Sequence, residues 1–161
     1  MKLIPLTQGK FTPVDDEDFE YLNQWKWCAV WNKCTFYATR KMYLGGGKYN
    51  QRSKTIFMSR LIMNTPDNLH VDHIDHDGLN NQKLNLRNCT NAQNHYNRVP
   101  RGVSKYLGVS LVQKKYNIAQ ITYNGEYYYL GLFPTQEDAA RAYDKKATEF
   151  FGEYANLNFK A

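Results

Sequence analysis

The residues best suited to chemistry lie between Asp72 and His95, a short stretch that contains three His, three Asp and six Asn. Side-chain oxygens of Asp and Asn are the ligands that a hard divalent cation such as Mg²⁺ or Mn²⁺ prefers. An imidazole has an ordinary pKa of about 6.5, so His73 can take a proton from water near pH 7. The stretch therefore predicts metal-assisted hydrolysis with His73 as the base.

A strand, a loop, a second strand and a helix should position these residues. Leu69–Ile74 alternates polar and apolar residues as a strand does, and Leu86–Thr90 could form the second strand. Residues 75–85 between them are rich in Asp, Gly and Asn, which favour a loop. A capping-box pattern at Thr90 predicts a helix that starts near Asn91 and ends before Pro100.

Asp72 and His73 are neighbours on the first strand, so their side chains should point to opposite faces. In-line attack on a phosphodiester can use this arrangement. The base activates water on one side of the phosphorus while the metal stabilises the leaving oxygen on the other.

These residues resemble the HNH (ββα-metal) nucleases, in particular the phage homing endonucleases. The matching words are Val71-Asp72-His73-Ile74-Asp75, Asn80-Asn81, Asn85-Leu86 and Asn94. The resemblance implies that His73 is the general base and that Asp72 and Asn94 bind one divalent ion, Mg²⁺ or Mn²⁺. It also implies that Asn85 braces the loop and orients His73. The last motif position is often His in this family, so His95 is the reserve candidate for Asn94.

Other interpretations compete with this one. A lone Asp-His pair is more often a surface hydrogen bond than a catalytic site, whereas four motif elements in order favour a nuclease. Asp75, His76 and Asp77 are interpreted as loop and turn residues, and His70 as structural. An alternative function is a non-catalytic DNA-binding regulator that keeps the nuclease fold as a scaffold.

The charge distribution indicates an acidic partner. The net charge is +6, and the stretch from Lys26 to Arg60 contains eight basic residues and no acidic one. Phosphate contacts to double-stranded DNA would explain this bias, although a solvated basic face is the ordinary alternative. The basic residues assigned to DNA are Arg40, Lys41, Arg52, Lys54 and Arg60.

Mean hydropathy is −0.70, and the chain lacks both a long apolar run and the apolar start of a signal peptide. We therefore expect no membrane partner and a location in the cytoplasm, that of the host cell if the protein is phage-encoded. The cysteines Cys28, Cys34 and Cys89 have no CxxC spacing. They are expected to be reduced core or semi-buried thiols, with no structural zinc.

Short elements are predicted before the nuclease core. Leu3–Leu6 and Phe11–Val14 should be edge segments around a turn at Gln8–Gly9. A helix then opens with acidic residues and buries a stripe of Phe19, Leu22 and Trp25. The patterns that follow predict strands at Trp27–Trp31, Thr35–Leu44 and Lys54–Met58, then a short helix at Met58–Asn64.

After a predicted linker at residues 99–104 the pattern changes to three strands and a helix. The strands are expected at Lys105–Val112, Tyr116–Tyr123 and Glu126–Phe133, with a hairpin turn at Asn124-Gly125. The helix should start at Thr135 and end at Gly152.

Alternation divides this sheet into two faces. The face under the helix should carry Ala119, Ile121, Tyr123, Tyr128, Leu130 and Leu132. The exposed face should carry Tyr116, Ile118, Gln120, Thr122, Tyr127 and Tyr129, with Lys114 and Lys115 nearby. Its polar and aromatic surface has a size that a major groove accepts.

This last third resembles the AP2 DNA-binding domain. The matching words are Tyr106-Leu107-Gly108-Val109, Ala119-Gln120-Ile121, Tyr129-Leu130-Gly131-Leu132-Phe133, Ala139-Ala140-Arg141-Ala142-Tyr143-Asp144 and Ala155-Asn156-Leu157-Asn158-Phe159. The resemblance implies that the sheet lies in the major groove, with contacts from Ser110, Gln120, Thr122, Tyr127 and Tyr129. Plant members have other residues at Leu107, Ser110 and Asn117, so their base preference does not carry over. A protein-binding surface around Tyr127–Tyr129 is the alternative.

Together these patterns predict an α+β protein. Residues 1–98 should form a mixed region with a ββα-metal nuclease core at about 57–98, and residues 105–161 a three-stranded antiparallel sheet packed on one helix, AP2-like. The expected function is a site-specific DNA endonuclease of the HNH homing type that acts as a monomer and nicks one strand.

Overall fold

The computed structural model describes residues 1–46, 50–100, 104–112 and 115–160. The chain forms two compact units, Met1–Asn91 and Ala92–Ala161. The mixture of helices and small sheets confirms the α+β class. The division falls seven residues before the expected domain end at 98, because Tyr96 packs with Tyr123 and Phe151 of the second unit.

The first unit consists of short elements, nearly all at the expected places. In chain order they are β1 (Lys2–Pro5), β2 (Phe11–Val14), α1 (Asp16–Asn23), β3 (Cys28–Trp31), β4 (Phe36–Gly45), β5 (Arg52–Phe57), α2 (Met58–Ile62), β6 (His70–His73) and β7 (Leu86–Cys89). β1 pairs with β2, β6 pairs with β7, and β3-β4-β5 form a three-stranded sheet; all these pairings are antiparallel.

The core of the first unit lies between the β1–β2 hairpin, α1 and the β3-β4-β5 sheet. Its most buried side chains include Ile4, Val14, Leu22 and Met58. Leu22 is fully buried, while Phe19 and Trp25 are partly buried against it, as the helical stripe predicts,. The N-terminal hairpin is thereby fixed to the rest of the unit.

The second unit contains α3 (Asn91–Tyr96, whose first residue lies in the first unit), β8 (Val109–Val112), β9 (Tyr116–Tyr123), β10 (Glu126–Phe133) and α4 (Gln136–Phe151). Its sheet has the order β10-β9-β8 and packs against α4. Thr135 caps α4 by accepting a hydrogen bond from the Asp138 N–H at 3.1 Å. β9, β10 and α4 have the expected bounds.

The first strand of this sheet is shorter than expected. It begins at Val109 rather than Lys105. Gly108 adopts φ +69, in the left-handed region that ends an extended strand, and the Leu107 N–H donates to Asn158 Oδ1 at 2.6 Å,. These residues therefore form a turn that is tied to the C-terminal segment.

The predicted position of Leu132 under α4 is also wrong, because its side chain is 55% exposed. The register shifts between Tyr129 and Gly131, where Gly131 has φ +126. One extra residue in a strand moves the following side chains to the opposite face. Leu130 and Phe133 consequently pack against the core, and Leu132 points outward.

The cysteines also differ from expectation. Cys28 and Cys34 are exposed, and only Cys89 is buried. Cys28 lies on β3, where the neighbouring Ala29 faces the core. Burial raises the pKa of the Cys89 thiol to about 11. In the described part of the chain, no helix combines the length and apolar character needed to cross a bilayer.

Candidate functional site

His73 is at the end of β6, where its Cα pairs with that of Leu86 on β7. Its side chain is only 7% exposed. The ring of Tyr37 from β4 packs edge-on against the imidazole, with 5.7 Å between ring centroids. Burial lowers the pKa of His73, so the ring is neutral near pH 7 and suited to accept a proton.

Asp72 lies beside His73 and is 5% exposed. Arg87, directly opposite on β7, donates to Asp72 Oδ2 from Nε at 2.8 Å and from Nη2 at 2.7 Å. A buried carboxylate with a paired guanidinium is held in one orientation. Arg87 was not among the predicted site residues, because its position opposite Asp72 depends on the register of the β6–β7 pair, which the sequence pattern alone does not give.

Asn85 closes the loop between β6 and β7. Its amide nitrogen donates to Asp75 Oδ1 and to the Asn80 carbonyl oxygen, both at 2.9 Å, and its Oδ1 accepts from the Asp75 N–H at 3.0 Å. These bonds join the two ends of the loop. The His73 ring, however, is 3.4 Å from Asn81 Oδ1, a residue without a role in the sequence analysis.

Asp75 is exposed, as expected of a loop and turn residue, and it is also the centre of the hydrogen bonds within this loop. Its carboxylate accepts hydrogen bonds from the Asp77 N–H and from the amides of Asn80 and Asn85. Partial burial raises the pKa of Asp75, but these hydrogen bonds outweigh it and hold the pKa below its ordinary value. The loop is therefore rigidly folded around a charged carboxylate.

The N-terminal elements also hold this loop. The Asn81 N–H donates to the Pro13 carbonyl at 3.1 Å, and the Lys83 N–H donates to Asp15 Oδ2 at 2.7 Å. Lys83 additionally pairs with Glu17 and with Asp18 in the first turn of α1. The acidic start of α1 thus has a second role beside its helix-dipole effect.

The other two predicted metal-site residues lie on α3, in the second unit. Asn94 is half-buried and His95 is exposed. His95 lines a cavity of about 470 Å³ in the second unit, together with Arg98 and the outer face of the sheet. The assignment of Asn94 as a metal ligand rests on the resemblance.

The basic residues assigned to DNA are not equivalent. Arg60 donates to the carbonyl oxygens of Leu69, Thr65 and Pro66, at 2.7, 3.2 and 2.9 Å. The guanidinium of Arg40 lies over the Trp25 ring, 4.3 Å from its centroid. These two side chains stabilise the fold.

The other three residues assigned to DNA in this unit lie on the β4–β5 hairpin and have exposed side chains. Lys41 donates to Thr55 Oγ1 at 2.8 Å across the two strands. Arg52 and Lys54 lie on β5. An anion in solvent can therefore approach all three.

Gln120 is at the centre of a hydrogen-bonded row across the outer face of the sheet. Its Nε2 donates to Ser110 Oγ on β8 at 3.3 Å, and its Oε1 accepts from the Tyr127 hydroxyl on β10 at 2.8 Å. One residue from each strand is thereby held in a fixed position. The predicted outward orientation of Thr122, Tyr127 and Tyr129 is confirmed.

Of the two predicted lysines, Lys115 is exposed, with its ammonium over the Tyr116 ring. Lys114 lies outside the described residues.

Comparisons with known proteins found relatives that match most of the chain or a part of it. No family model matches the chain. It is 32% identical over 142 residues to an uncharacterised HNH endonuclease of Acanthamoeba polyphaga mimivirus, covering 87% of this chain and 74% of that protein. It is also 43% identical over 63 residues, 37% of this chain, to an ethylene-responsive transcription factor of Arabidopsis thaliana and to an APETALA2-like protein of Oryza sativa subsp. indica, but spans only 14% of each. The chain therefore belongs to the HNH endonuclease family and includes a segment similar to AP2-type transcription factors.

Proposed function

We propose that the protein is a site-specific DNA endonuclease of the homing type, which hydrolyses one phosphodiester per binding event and thereby nicks double-stranded DNA. The observation that supports this most directly is the pair on β6. A buried, neutral imidazole stands next to a buried carboxylate that Arg87 holds in place. A base and an oriented anion on one rigid hairpin are what phosphodiester hydrolysis requires.

In this proposal His73 accepts the proton of the attacking water. Its lowered pKa keeps most molecules in the basic form at neutral pH,. The edge of Tyr37 and the hydrogen bond with Asn81 limit the motion of the ring. Asn85 and Asp75 keep the loop that carries Asn81 in one conformation.

A divalent ion fits the donor chemistry of the residues proposed to hold it. By the resemblance, Asp72 would supply a carboxylate oxygen and Asn94 an amide oxygen, and magnesium commonly takes only one or two protein groups and keeps its waters. Such a site needs no cluster of three His, Cys, Asp or Glu, and the described residues contain none. When bound, Mg²⁺ or Mn²⁺ would supply charge stabilisation at the leaving oxygen.

Sequence selection is assigned to the outer face of the second unit. The row Ser110-Gln120-Tyr127 presents amide and hydroxyl groups at fixed positions, with the exposed side chains of Thr122 and Tyr129 on the same face. Amide and hydroxyl groups can read base edges in the major groove, while Lys41, Arg52 and Lys54 would contact phosphates in the first unit.

Supercoiled plasmid carrying the target site tests this function. With Mg²⁺ or Mn²⁺ we expect open-circular DNA to accumulate at first order in enzyme, and no cleavage in the presence of a chelator, because one active site per chain cuts one strand. Agarose electrophoresis separates the products. Linear DNA formed without an open-circular precursor contradicts nicking, and a gel shift without cleavage would instead indicate a DNA-binding regulator.

Replacing Gln120 by Ala tests sequence selection. The change removes the centre of the hydrogen-bonded row, and a good base contact contributes about 1 to 3 kcal/mol of discrimination, so the ratio of specific to nonspecific affinity should fall about 5- to 150-fold. Both affinities are measured at one salt concentration. Lys145→Ala on the exposed side of α4 is the matched control. An unchanged ratio in a folded Gln120→Ala protein would assign selection to another surface.

A further inference from the structure

Thr12 on β2 is a buried polar residue far from the motif in sequence. Its side chain is 0% exposed. The hydroxyl donates to the Leu79 carbonyl oxygen and accepts a hydrogen bond from Asn81 Nδ2 at 2.9 Å. The N-terminal hairpin therefore contacts the loop that follows His73 through the Thr12 side chain as well as through the Pro13 carbonyl.

These contacts decide which way the Asn81 amide points. Its Nδ2 also donates to the Leu79 carbonyl at 3.3 Å, and the side chain is 1% exposed. In the flipped orientation Asn81 Oδ1 would face two acceptors, because the Thr12 hydrogen already goes to Leu79. A buried acceptor facing other acceptors is unfavourable, so the amide is held in one orientation.

The orientation of Asn81 in turn selects the tautomer of His73. Asn81 Oδ1 lies 3.4 Å from His73 Nε2 and can only accept a hydrogen bond,. For this contact to be a hydrogen bond, Nε2 carries the proton of the neutral ring and the lone pair is on Nδ1,. The tautomer of a His is set by the partner of its other nitrogen.

We infer that Thr12 is a positioning residue for His73: through Asn81 its hydroxyl holds the neutral imidazole in the Nε2-protonated tautomer and directs Nδ1 to the substrate water. The inference rests on the proposed role of His73 as the base. Thr12 itself touches neither substrate nor the reacting atoms. The N-terminal hairpin becomes part of the catalytic apparatus without contributing a catalytic group.

The wild-type protein gives the first test, without DNA or metal. In ¹⁵N-histidine-labelled protein at pH 8, where the ring is neutral, His73 is expected to show the protonated-nitrogen shift at Nε2 and the unprotonated shift at Nδ1. Loss of the signals in His73→Ala assigns them. A protonated Nδ1 overturns the inference whatever any variant does, and the result is independent of whether the protein cleaves DNA.

Two substitutions at one position form the second test. Thr12→Val removes the hydroxyl and keeps the branched shape, whereas Thr12→Ser keeps the hydroxyl. In Thr12→Val we expect a mixture of tautomers and a kcat about 10- to 100-fold lower, with KM unchanged. The reason is that a misdirected base loses part of the rate increase of about 10²- to 10⁴-fold that base catalysis supplies. In Thr12→Ser we expect tautomer, kcat and KM close to those of the wild type. Equal kcat losses in the two variants, or an unaltered tautomer in Thr12→Val, would contradict the relay. A wild-type enzyme that does not cleave would instead refute the proposed function, while the tautomer measurement would still stand.

Discussion

Replacing His73 by Ala is expected to lower the cleavage rate by about 10²- to 10⁴-fold, the usual contribution of a positioned base. DNA affinity should stay within a few-fold of wild type, because the exposed residues assigned to DNA contacts lie on the β4–β5 hairpin and on the sheet of the second unit. Single-turnover cleavage and binding in the presence of a chelator measure the two quantities separately.

His70→Ala is the matched control for this experiment. His70 lies on the same strand, but its side chain is exposed and outside the loop network. The His70→Ala variant should therefore cleave DNA at the wild-type rate. If His73→Ala also cleaves at nearly the wild-type rate, the proton acceptor is another residue, with His95 and His76 the next to replace.

Replacing Gly108 by Ala should destabilise the second unit by about 2 to 4 kcal/mol. A Cβ at this position would lie 1.9 Å from Tyr143 Cδ2 and 2.7 Å from the Gln120 carbonyl oxygen. Tyr143 is fully buried, so it cannot move aside without disrupting the core,. The backbone φ of +69 adds strain for any residue with a Cβ,. Native-state hydrogen exchange of the β9 amides measures the loss.

Gly125→Ala separates strain from overlap. Gly125 has φ +83, but a Cβ there meets nothing within 4 Å. Its cost should be only about 1 kcal/mol, the strain of a left-handed backbone alone. Equal losses of stability in the two variants would show that the overlap of the added Cβ with Tyr143 does not contribute to the cost of Gly108→Ala.

Local patterns predicted the elements well wherever the signal was itself local. β9, β10 and α4 have the expected bounds because Asn124-Gly125 and Thr135 fix their ends chemically,. The prediction that Leu132 is buried under α4 was wrong because the strand is interrupted. Assigning side chains to alternate faces assumes an uninterrupted strand, and a glycine in the sequence of a strand is not enough to predict a β-bulge.

The candidate site was predictable only in part. The spacing of Asp72, His73 and Asn85 singled them out, and the structure places all three on one hairpin and its loop. Their partners were not predictable, because Arg87 depends on the β6–β7 register and Thr12 on contacts between distant segments of the chain. Likewise, a run of basic residues reveals charge but not that Arg60 would bind three carbonyl groups.

The commitment of Arg40 and Arg60 to internal contacts has a consequence for the thermodynamics of DNA binding. The affinity of a protein for DNA depends on salt through the counterions that its phosphate contacts release. Of the five cations assigned to DNA in the first unit, the guanidinium of Arg60 is bound to carbonyl oxygens and that of Arg40 covers an indole. This region should therefore release counterions for roughly three phosphates rather than five, and the slope of log affinity against log salt concentration would report that smaller number.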